Sequence, residues 1–365
     1  MLDWFAANAR DLPWRRTRDP YAIWVSEIML QQTQVKTVIP FWNRWLRELP
    51  TIEAAANAPS EKIHKLWEGL GYYTRVRNLQ KAAQQIVEEH GGKFPENFDD
   101  VLALPGIGRY TAGAICSIAF NHPTPILDGN VIRVLTRIFG MAENPKEKTT
   151  NAKLWQLAEE LVCRAKNAKE AKEEFTSQPS QPSRAPDSCS HLNQSLMELG
   201  ALVCTPRNPQ CQICPVKKLC VAFAENRTEE LPNLGKREAA TARCFLAFAI
   251  KKNGKFLVQQ RPADVINAHL WEFPNVEITG TKPDVKAVFK KLFGSQPAAI
   301  QPLCAVKHSI TRYRITLESF LARLKKAPMK TDGVWKTPLQ MQMLAFSSAH
   351  KKLASAAAKS ILSGR

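Results

Sequence analysis

Four cysteines close together in the sequence restrict the local fold more than any other feature of the chain. They are Cys204, Cys211, Cys214 and Cys220, in the pattern C-x6-C-x2-C-x5-C. Four thiols in so short a segment are typical of metal ligands and not of disulfides in an intracellular basic protein. Zinc accepts four sulfur ligands, but the outer gaps are unusual for a zinc ribbon, and a single compact loop suits a cubane cluster. We therefore predict a [4Fe–4S] cluster at this loop.

A second constrained segment reads FDDVLALPGIGRYTAGAI. It predicts a short helix capped by Asp99 or Asp100, a tight turn, and a second helix that begins near Arg109. Gly106 and Gly108 permit the turn and let a ligand approach the backbone. Because the first turn of a helix leaves N–H groups free, the segment suits a phosphate. The alternative is an ordinary corner between two helices.

Asp128 stands in the sequence LDGNV, immediately before an apolar pattern of helical period that runs to Gly140. This position predicts an N-cap. A capped aspartate is held in place, stays ionised and can face a cationic transition state, so Asp128 is also a candidate catalytic residue.

Two further clusters suit contact with nucleic acid. The first is SEIMLQQTQV, which begins at Ser26 and whose glutamines can hydrogen-bond to base edges. The second is GLGYYTRVR, which begins at Gly69 and interleaves flat rings with cations. Their alternatives are a solvated turn and a glycine-hinged helix start with tyrosines in the core.

Charge favours a polyanionic partner. The 365 residues carry 51 Lys and Arg against 33 Asp and Glu, a net charge of +18, with 44% hydrophobic residues. This balance is typical of a globular protein that binds DNA or RNA. No run of apolar residues is long enough for a membrane span and no secretory signal is visible, so we expect an intracellular protein.

Taken together, LPGIGRY, LDGNV and the four-cysteine pattern resemble the helix-hairpin-helix DNA glycosylases that carry an iron–sulfur loop. Within that superfamily, SEIMLQQTQV and GLGYYTR are similar to the MutY family of adenine glycosylases. This similarity covers Leu2 to Cys220 apart from a polar insertion. The later LWEFP and the strand pattern resemble the Nudix-like domain of the same family.

The resemblance implies a multi-domain fold. We expect an all-α helix-hairpin-helix domain with the [4Fe–4S] loop, followed by an α/β (α+β) Nudix-like domain that recognises 8-oxoguanine. The expected ranges are 1–222 for the first domain, with a flexible insertion at about 167–190, then 223–239 for a linker and 240–365 for the second domain.

The resemblance also implies a reaction. A monomer without a membrane segment would flip adenine out of double-stranded DNA, from an A:8-oxoG or A:G mispair, and hydrolyse its glycosidic bond. Glu27 would be the general acid and Asp128 would stabilise the oxocarbenium-like sugar. Tyr110 and Asn130 would position Asp128 and the attacking water. The apolar residues that follow Glu27 predict a raised pKa for its carboxyl group.

Tyr110 separates two mechanisms. Bifunctional relatives such as endonuclease III carry a lysine two residues past the second hairpin glycine, where this chain has Tyr110. Without that amine we expect little lyase activity. The enzymatic alternative is an endonuclease III-like oxidised-pyrimidine glycosylase and lyase. The non-enzymatic alternative is a lesion-binding protein, which the presence of both Glu27 and Asp128 opposes.

Further contacts are implied by the same resemblance. Trp14 and Arg15 would line the adenine pocket, and the backbone carbonyls of Leu102, Leu104 and Ile107 would bind a monovalent cation at the hairpin. The residues expected to wedge the helix, hold phosphate or contact the base opposite adenine are Gln32, Thr33, Leu70, Tyr72, Gly106, Gly108, His308, Thr311 and Arg312.

The second domain departs from active Nudix hydrolases and from its own family. The magnesium-binding pattern R-E-x-x-E-E-x-G does not occur after Pro274, so we expect no nucleotide hydrolysis. Where the family has an F-S-H loop, this chain has Ile310, Thr311 and Arg312. Thr311 keeps a hydroxyl group for hydrogen bonding, and Arg312 adds a charge in place of an imidazole.

Overall fold

A computed structural model describes residues 1–173, 188–236, 239–263, 265–279, 284–310, 312–324 and 333–362. The chain forms two compact units. One unit is Met1–Asn57 with Asn78–Arg237, and the other is Ala58–Arg77 with Glu238–Arg365. This division differs from the expected domain ranges in two respects: residues 58–77 cluster with the second unit, and residues 223–237, expected to be part of a linker, cluster with the first.

The chain before Arg237 is helical. Its described α-helices are α1 (Leu2–Asn8), α2 (Pro20–Leu30), α3 (Val35–Glu48), α4 (Ile52–Asn57), α5 (Ser60–Trp67), α6 (Thr74–His90), α7 (Phe98–Ala103), α8 (Arg109–Phe120), α9 (Gly129–Ile138), α10 (Lys148–Glu173), α11 (Ser188–Leu202) and α12 (Val221–Ala224). Short 3-10 turns lie at Pro13–Arg15, Cys211–Ile213 and Lys217–Leu219. Helix α5 belongs to the second unit, and the other eleven lie wholly or mostly in the first.

Caps fix the helices that matter most for the site. Asp128 is the N-cap of α9, as predicted, and its side chain accepts from the Val131 N–H. Helix α8 begins at Arg109, also as predicted. The expected cap of α7 was wrong: Asn97 lies one residue before the helix and accepts from the backbone N–H groups of Asp99 and Asp100. Asp99 and Asp100 both lie inside the first turn. Their charges interact favourably with the helix dipole, but neither residue occupies the N-cap position.

The expected insertion at 167–190 is shorter than predicted. Residues 167–173 continue α10, and residues 188–190 open α11. Residues 174–187 lie outside the described part of the chain. The helices α9, α10 and α11 pack around a buried core that includes Val131, Leu154 and Leu199.

The second unit contains a mixed sheet. Its strands are β1 (Thr241–Lys252), β2 (Lys255–Gln260), β3 (Trp271–Glu272), β4 (Asn275–Ile278), β5 (Ala299–Ile310), β6 (Tyr313–Arg323) and β7 (Val334–Lys336). The order is β3-β2-β1-β6-β5, with β4 paired to β1 and β7 paired to β2. Strands β1 and β6 are parallel, and the other pairs are antiparallel. The expected α/β architecture is confirmed.

Helices cover both faces of this sheet: α13 (Val285–Phe293), α14 (Pro338–Met343) and α15 (Ser348–Leu362). Alternation along β1 explains the two layers, because Phe248 packs with Phe289 of α13 while Ala247 and Ala249 face the core of α15. Strands β1 and β2 form a hairpin whose turn is at Asn253 and Gly254.

The segment from His308 to Ala322, whose residues alternate as is typical of strands, is divided between two strands. Strand β5 ends at Ile310 and turns into β6 at Tyr313, so His308 pairs with Ile315 across a hairpin. Because residues alternate along both strands, the sequence pattern does not show where the turn between them lies. In the part of the chain that the structure describes, no helix has the length and apolar character needed to cross a bilayer.

Candidate active site

One cavity in the first unit gathers most of the predicted catalytic and substrate-binding residues. Its volume is about 630 Å³. The predicted residues that line it are Trp14, Arg15, Glu27, Gln32, Thr33, Tyr110, Asp128 and Asn130. They come from α2, α8, α9 and the loops before and after α2, so the fold brings together residues that are up to 116 positions apart in the sequence.

Glu27 lies inside α2, which is buried along most of its length. The side chain is 6% exposed. The pKa of Glu27 is raised to about 7, mainly by burial and also by the neighbouring Asp128, although the hydrogen bond from Tyr110 and the charge of Arg15 oppose the rise. The carboxyl group is therefore half protonated near neutral pH, which is the state required of a general acid.

Tyr110 differs from its expected role. Its hydroxyl donates to Glu27 Oε2 at 2.9 Å and also lies 3.4 Å from Met197 Sδ, instead of contacting Asp128. Burial, reinforced by the charges of Glu27 and Asp128, raises the pKa of Tyr110 well above its ordinary value, so the phenol keeps its proton. The Tyr110 hydroxyl is therefore placed to hold the Glu27 carboxyl group in position.

Asp128 is held on both carboxylate oxygens. Oδ1 accepts from the Val131 N–H at 2.8 Å, and Oδ2 accepts from Asn130 Nδ2 at 2.9 Å. Burial raises the pKa of Asp128, and these amide donors oppose the rise. Asn130 thus has the positioning contact that the resemblance implied.

Arg133 was missed by the sequence analysis, although it connects the aspartate to the cysteine loop. Its Nη2 donates to Asn130 Oδ1 at 2.9 Å and to the Gly200 carbonyl at 2.7 Å. Its Nε donates to the Cys204 carbonyl at 2.7 Å. A Cβ at Gly200 would lie 2.7 Å from the Cβ of Asn130, so α9 and α11 approach as closely as they do only because residue 200 is glycine.

Glu198 was also missed. It lies in α11, is fully buried and accepts from Arg10 at 2.7 Å and from Arg15 at 2.9 Å. Although burial alone would raise its pKa, these guanidinium groups lower the pKa of Glu198 to about 2. It therefore fixes Arg15 at the cavity wall. A lone carboxylate in the apolar sequence LMELG is the signal that could have found it, because a buried charge requires a partner.

The four cysteines of the predicted cluster line a common cavity. Arg137 donates to Cys204 Sγ at 3.3 Å and to the Thr205 carbonyl at 2.7 Å. Within the described residues, no three His, Cys, Asp or Glu side chains are arranged to hold a single metal ion. One tetrahedral zinc would need all its sulfurs at about 2.3 Å from one point. Four thiols that line one cavity are a donor set that fits an iron–sulfur cluster.

The hairpin has the geometry expected of a backbone anion site. Gly106 has a φ of 78°, and a Cβ there would lie 2.6 Å from Asn78 Cβ, so only glycine fits. Gly108 is the N-cap of α8 and offers no side-chain cap. Of the carbonyls expected to bind a cation, that of Leu104 accepts from the Ile107 N–H at 3.1 Å.

The remaining predicted residues lie in the second unit. Tyr72 is 41% exposed, whereas Leu70 is 6% exposed, so Tyr72 is the one that the turn presents at the surface. His308 lies near the end of β5, and the exposed Arg312 donates to the Tyr313 hydroxyl at 3.3 Å. Thr311 lies outside the described residues.

Family comparisons agree with the two-part architecture. Residues 25–160 match the HhH-GPD superfamily of base excision DNA repair proteins. Residues 204–220 match the iron–sulfur binding domain of endonuclease III, and residues 246–356 match a NUDIX domain. The predicted fold class and the iron–sulfur loop are confirmed.

Relatives over nearly the whole chain have one activity. The chain is 35% identical to the adenine DNA glycosylase of Homo sapiens over 416 aligned residues, which covers 97% of this chain and 72% of the human protein. It is 36% identical to the adenine DNA glycosylase of Buchnera aphidicola, covering 76% of this chain and 74% of that protein. The oxidised-pyrimidine alternative is therefore not favoured.

A solved structure supports the fold of the first unit. The structure of a thermostable thymine-DNA glycosylase superposes with a TM-score of 0.51 at 30% identity, and covers 61% of this chain and 93% of that one. The cavity, the cysteine loop and these relatives lead to one assignment. The chain belongs to the adenine DNA glycosylase family, and it is an enzyme that removes adenine from DNA.

Proposed function

We propose that the enzyme hydrolyses the glycosidic bond of adenine paired with 8-oxoguanine or with guanine, and leaves an abasic site without cutting the strand. The observation that carries this proposal is the pair of buried carboxyl groups in one cavity, Glu27 and Asp128, whose surroundings differ. Glycosidic cleavage requires one acid and one carboxylate with separated pKa values.

Glu27 supplies the proton. Adenine reaches the cavity only after it is flipped out of the duplex. The protonated carboxyl of Glu27, oriented by the Tyr110 hydroxyl, gives its proton to the leaving base. Because the pKa of Glu27 is about 7, the acid form is populated at neutral pH without losing its strength as a donor.

Asp128 stabilises the sugar as positive charge develops on it. Its carboxylate is fixed by the Val131 N–H and by Asn130, so it needs little reorganisation when the charge appears. The same amide donors favour its ionised form. Asn130 keeps the carboxylate aligned and is in turn held by Arg133.

Arg15 and Trp14 form part of the base pocket. Trp14 is buried against Trp42, with ring centroids 6.0 Å apart. Arg15 is held by Glu198 and by the Arg10 carbonyl, at 3.0 Å for the latter. A guanidinium that is already held in place beside a flat apolar ring suits a purine better than a flexible guanidinium would, because less side-chain entropy is lost on binding.

The iron–sulfur cluster has a structural place in this proposal. Cys204, Cys211, Cys214 and Cys220 would hold the cluster through their thiolates, and the cluster would tie the segment 204–220 into a closed loop. Arg137 and Arg133 hold the same loop by its carbonyls, and Arg207, Lys217 and Lys218 give it positive charge for phosphate.

Recognition of the mispair is assigned to both units. In the first unit, Gln32 and Thr33 line the catalytic cavity, and the hairpin glycines suit a phosphate or a monovalent cation. In the second, the exposed Tyr72 with Leu70, and His308 with Thr311 and Arg312, are assigned to the base opposite adenine. We propose that the enzyme acts as a monomer.

The proposal is tested by single-turnover assays on duplexes with A:8-oxoG, A:G, A:C and A:T, developed with alkali to reveal abasic sites. We expect rapid excision from A:8-oxoG, slower excision from A:G, and little from the other two. Glu27→Gln should be inactive on all four. An enzyme that leaves every duplex intact would contradict the proposal.

Strand cutting is tested separately. Because Tyr110 occupies the position where a lysine would form a Schiff base, borohydride should trap little enzyme on a duplex with an abasic site. Robust crosslinking would show that another amine attacks the sugar, and the hydrolytic mechanism would then be wrong.

A further inference from the structure

The turn that carries Leu70 and Tyr72 is part of the second unit. Residues 58–77 cluster with the residues after 238 and not with the rest of the helical chain. Within that unit, residues 58–77 contact the later part of the chain at two places. His64 stacks on His269 with ring centroids 6.4 Å apart, and Arg77 donates to the Ala268 carbonyl at 3.3 Å. The other place is Glu68.

Glu68 joins the segment to the residues that precede and open α15. Its Oε1 accepts from the Phe346 N–H at 3.1 Å, and its Oε2 accepts from Lys351 Nζ at 2.6 Å. Lys65 Nζ donates to the same Oε2 at 2.9 Å and to the Leu344 carbonyl at 3.0 Å. The side chain is 5% exposed, so this carboxylate is a buried junction and not a surface ion pair.

The charge of Glu68 is matched by its donors. Burial alone would raise the pKa of Glu68, but Lys351, Lys65 and the Phe346 amide lower it below its ordinary value. The carboxylate is thus ionised at neutral pH. Removing the Glu68 carboxylate would leave the buried Phe346 N–H without this acceptor.

The turn that follows Glu68 is rigid. Trp67 Nε1 donates to the Gly71 carbonyl at 3.0 Å, and Arg75 Nη2 donates to the carbonyls of Leu70 and Gly71, each at 3.1 Å. Gly71 and Tyr72 have positive φ angles of 70° and 48°. A residue other than glycine or asparagine in this conformation is strained, so the surrounding contacts must hold Tyr72 in place.

We propose that Glu68 is a positioning residue for recognition of the base opposite adenine: through Lys351 and the Phe346 amide it fixes the Tyr72 turn to the second unit. This rests on the proposed function, in which Leu70 and Tyr72 contact that base. One unit then presents both the Tyr72 turn and the His308–Arg312 hairpin. A turn that is held in place discriminates between 8-oxoguanine and guanine, because it cannot move to fit both bases equally well.

The test measures single-turnover excision from A:8-oxoG and A:G duplexes by the full chain, as wild type, Glu68→Gln, Lys351→Met and the double variant. Glu61→Gln is the matched control, since Glu61 is an exposed glutamate on α5. We expect the ratio of the two rates to fall about tenfold in each single variant, with the A:G rate nearly unchanged. The double variant should lose no more than the larger single loss, because both residues act through one contact.

Thermal melting separates positioning from stability. If both rates fall in parallel as the melting temperature drops, Glu68 is only structural and the proposal is wrong. It is also overturned if the ratio is preserved in both single variants. Lys351 has a side chain that is 55% exposed, so Lys351→Met tests the contact even if Glu68→Gln fails to fold. A wild type with no preference for 8-oxoguanine would contradict the proposed function itself.

Discussion

At the scale of single residues, the proposed general acid Glu27 is a buried carboxyl group whose ionised form folding disfavours. Glu27 is surrounded by protein and has a pKa of about 7, against 4.5 for an ordinary glutamate. An acid whose pKa is raised on folding contributes most to stability below the unfolded pKa. That contribution is lost as the pH rises through the folded pKa. The ionised carboxylate of Glu27 therefore destabilises the fold above a pH of about 7.

Glu27→Gln should remove this cost. Between pH 5 and pH 8 the wild type should lose about 2 kcal/mol of unfolding free energy that the variant keeps. The glutamine side chain can still accept from the Tyr110 hydroxyl, so the packing is preserved. Chemical denaturation at both pH values measures the difference, with the exposed Glu61→Gln as control. An identical pH dependence of unfolding free energy in variant and wild type would mean that folding does not raise the pKa of Glu27.

At the scale of elements, α9 joins the aspartate to the cysteine loop. Asp128 caps its N-terminus. Arg133, in the middle of the helix, donates to Asn130 Oδ1 and to the Cys204 carbonyl. Arg137, near the end of the helix, donates to Cys204 Sγ. The alignment of the carboxylate thus depends on the helix and on the loop together.

Arg133→Gln should slow adenine excision about tenfold or more, because Asn130 loses its support and two buried carbonyls lose their donor. Binding to a duplex with an uncleavable adenosine analogue should change less than the rate. Iron content should be measured beside the rate, since the same side chain holds the loop. The control is Arg164→Gln, an exposed arginine on α10. A variant with normal excision would contradict this role.

Sequence reasoning succeeded at this scale where chemistry is local. The cap at Asp128, the hairpin at Gly106 and the four cysteines each depend on residues that are neighbours in the chain. It failed where partners are distant. Arg15 and Glu198 are 183 positions apart, and Glu68 and Lys351 are 283 apart, so no pattern in the sequence shows that they meet. The role of Tyr110 also depended on a contact with another helix.

At the scale of the whole molecule, positive charge is concentrated after residue 239. Residues 240–365 hold 21 Lys and Arg against 6 Asp and Glu, while the first 239 hold 30 against 27. The part of the chain without the catalytic pair therefore carries most of the net charge. We therefore expect long-range attraction to DNA to come mainly from the residues after 239, beside the local phosphate contacts proposed for the helical part.

Salt should separate these two properties. Affinity for duplex DNA should fall steeply between 50 and 200 mM salt, by about tenfold or more, because counterions are released on binding. The single-turnover rate at saturating enzyme should change little, since the buried Glu27 and Asp128 are screened weakly. Titrations and rates across the same salt series measure both. A saturated rate that falls as steeply as the affinity would show that surface charge contributes to the chemical step.

The central claim is that Glu27 delivers a proton to adenine from a carboxyl group with a pKa of about 7. Its most direct test is the pH dependence of single-turnover excision from an A:8-oxoG duplex at saturating enzyme. The rate should be high at pH 6 and should fall about tenfold for each pH unit above 7, with Glu27→Gln inactive throughout. A rate that stays level to pH 9, or a Gln variant that keeps wild-type activity, would contradict it.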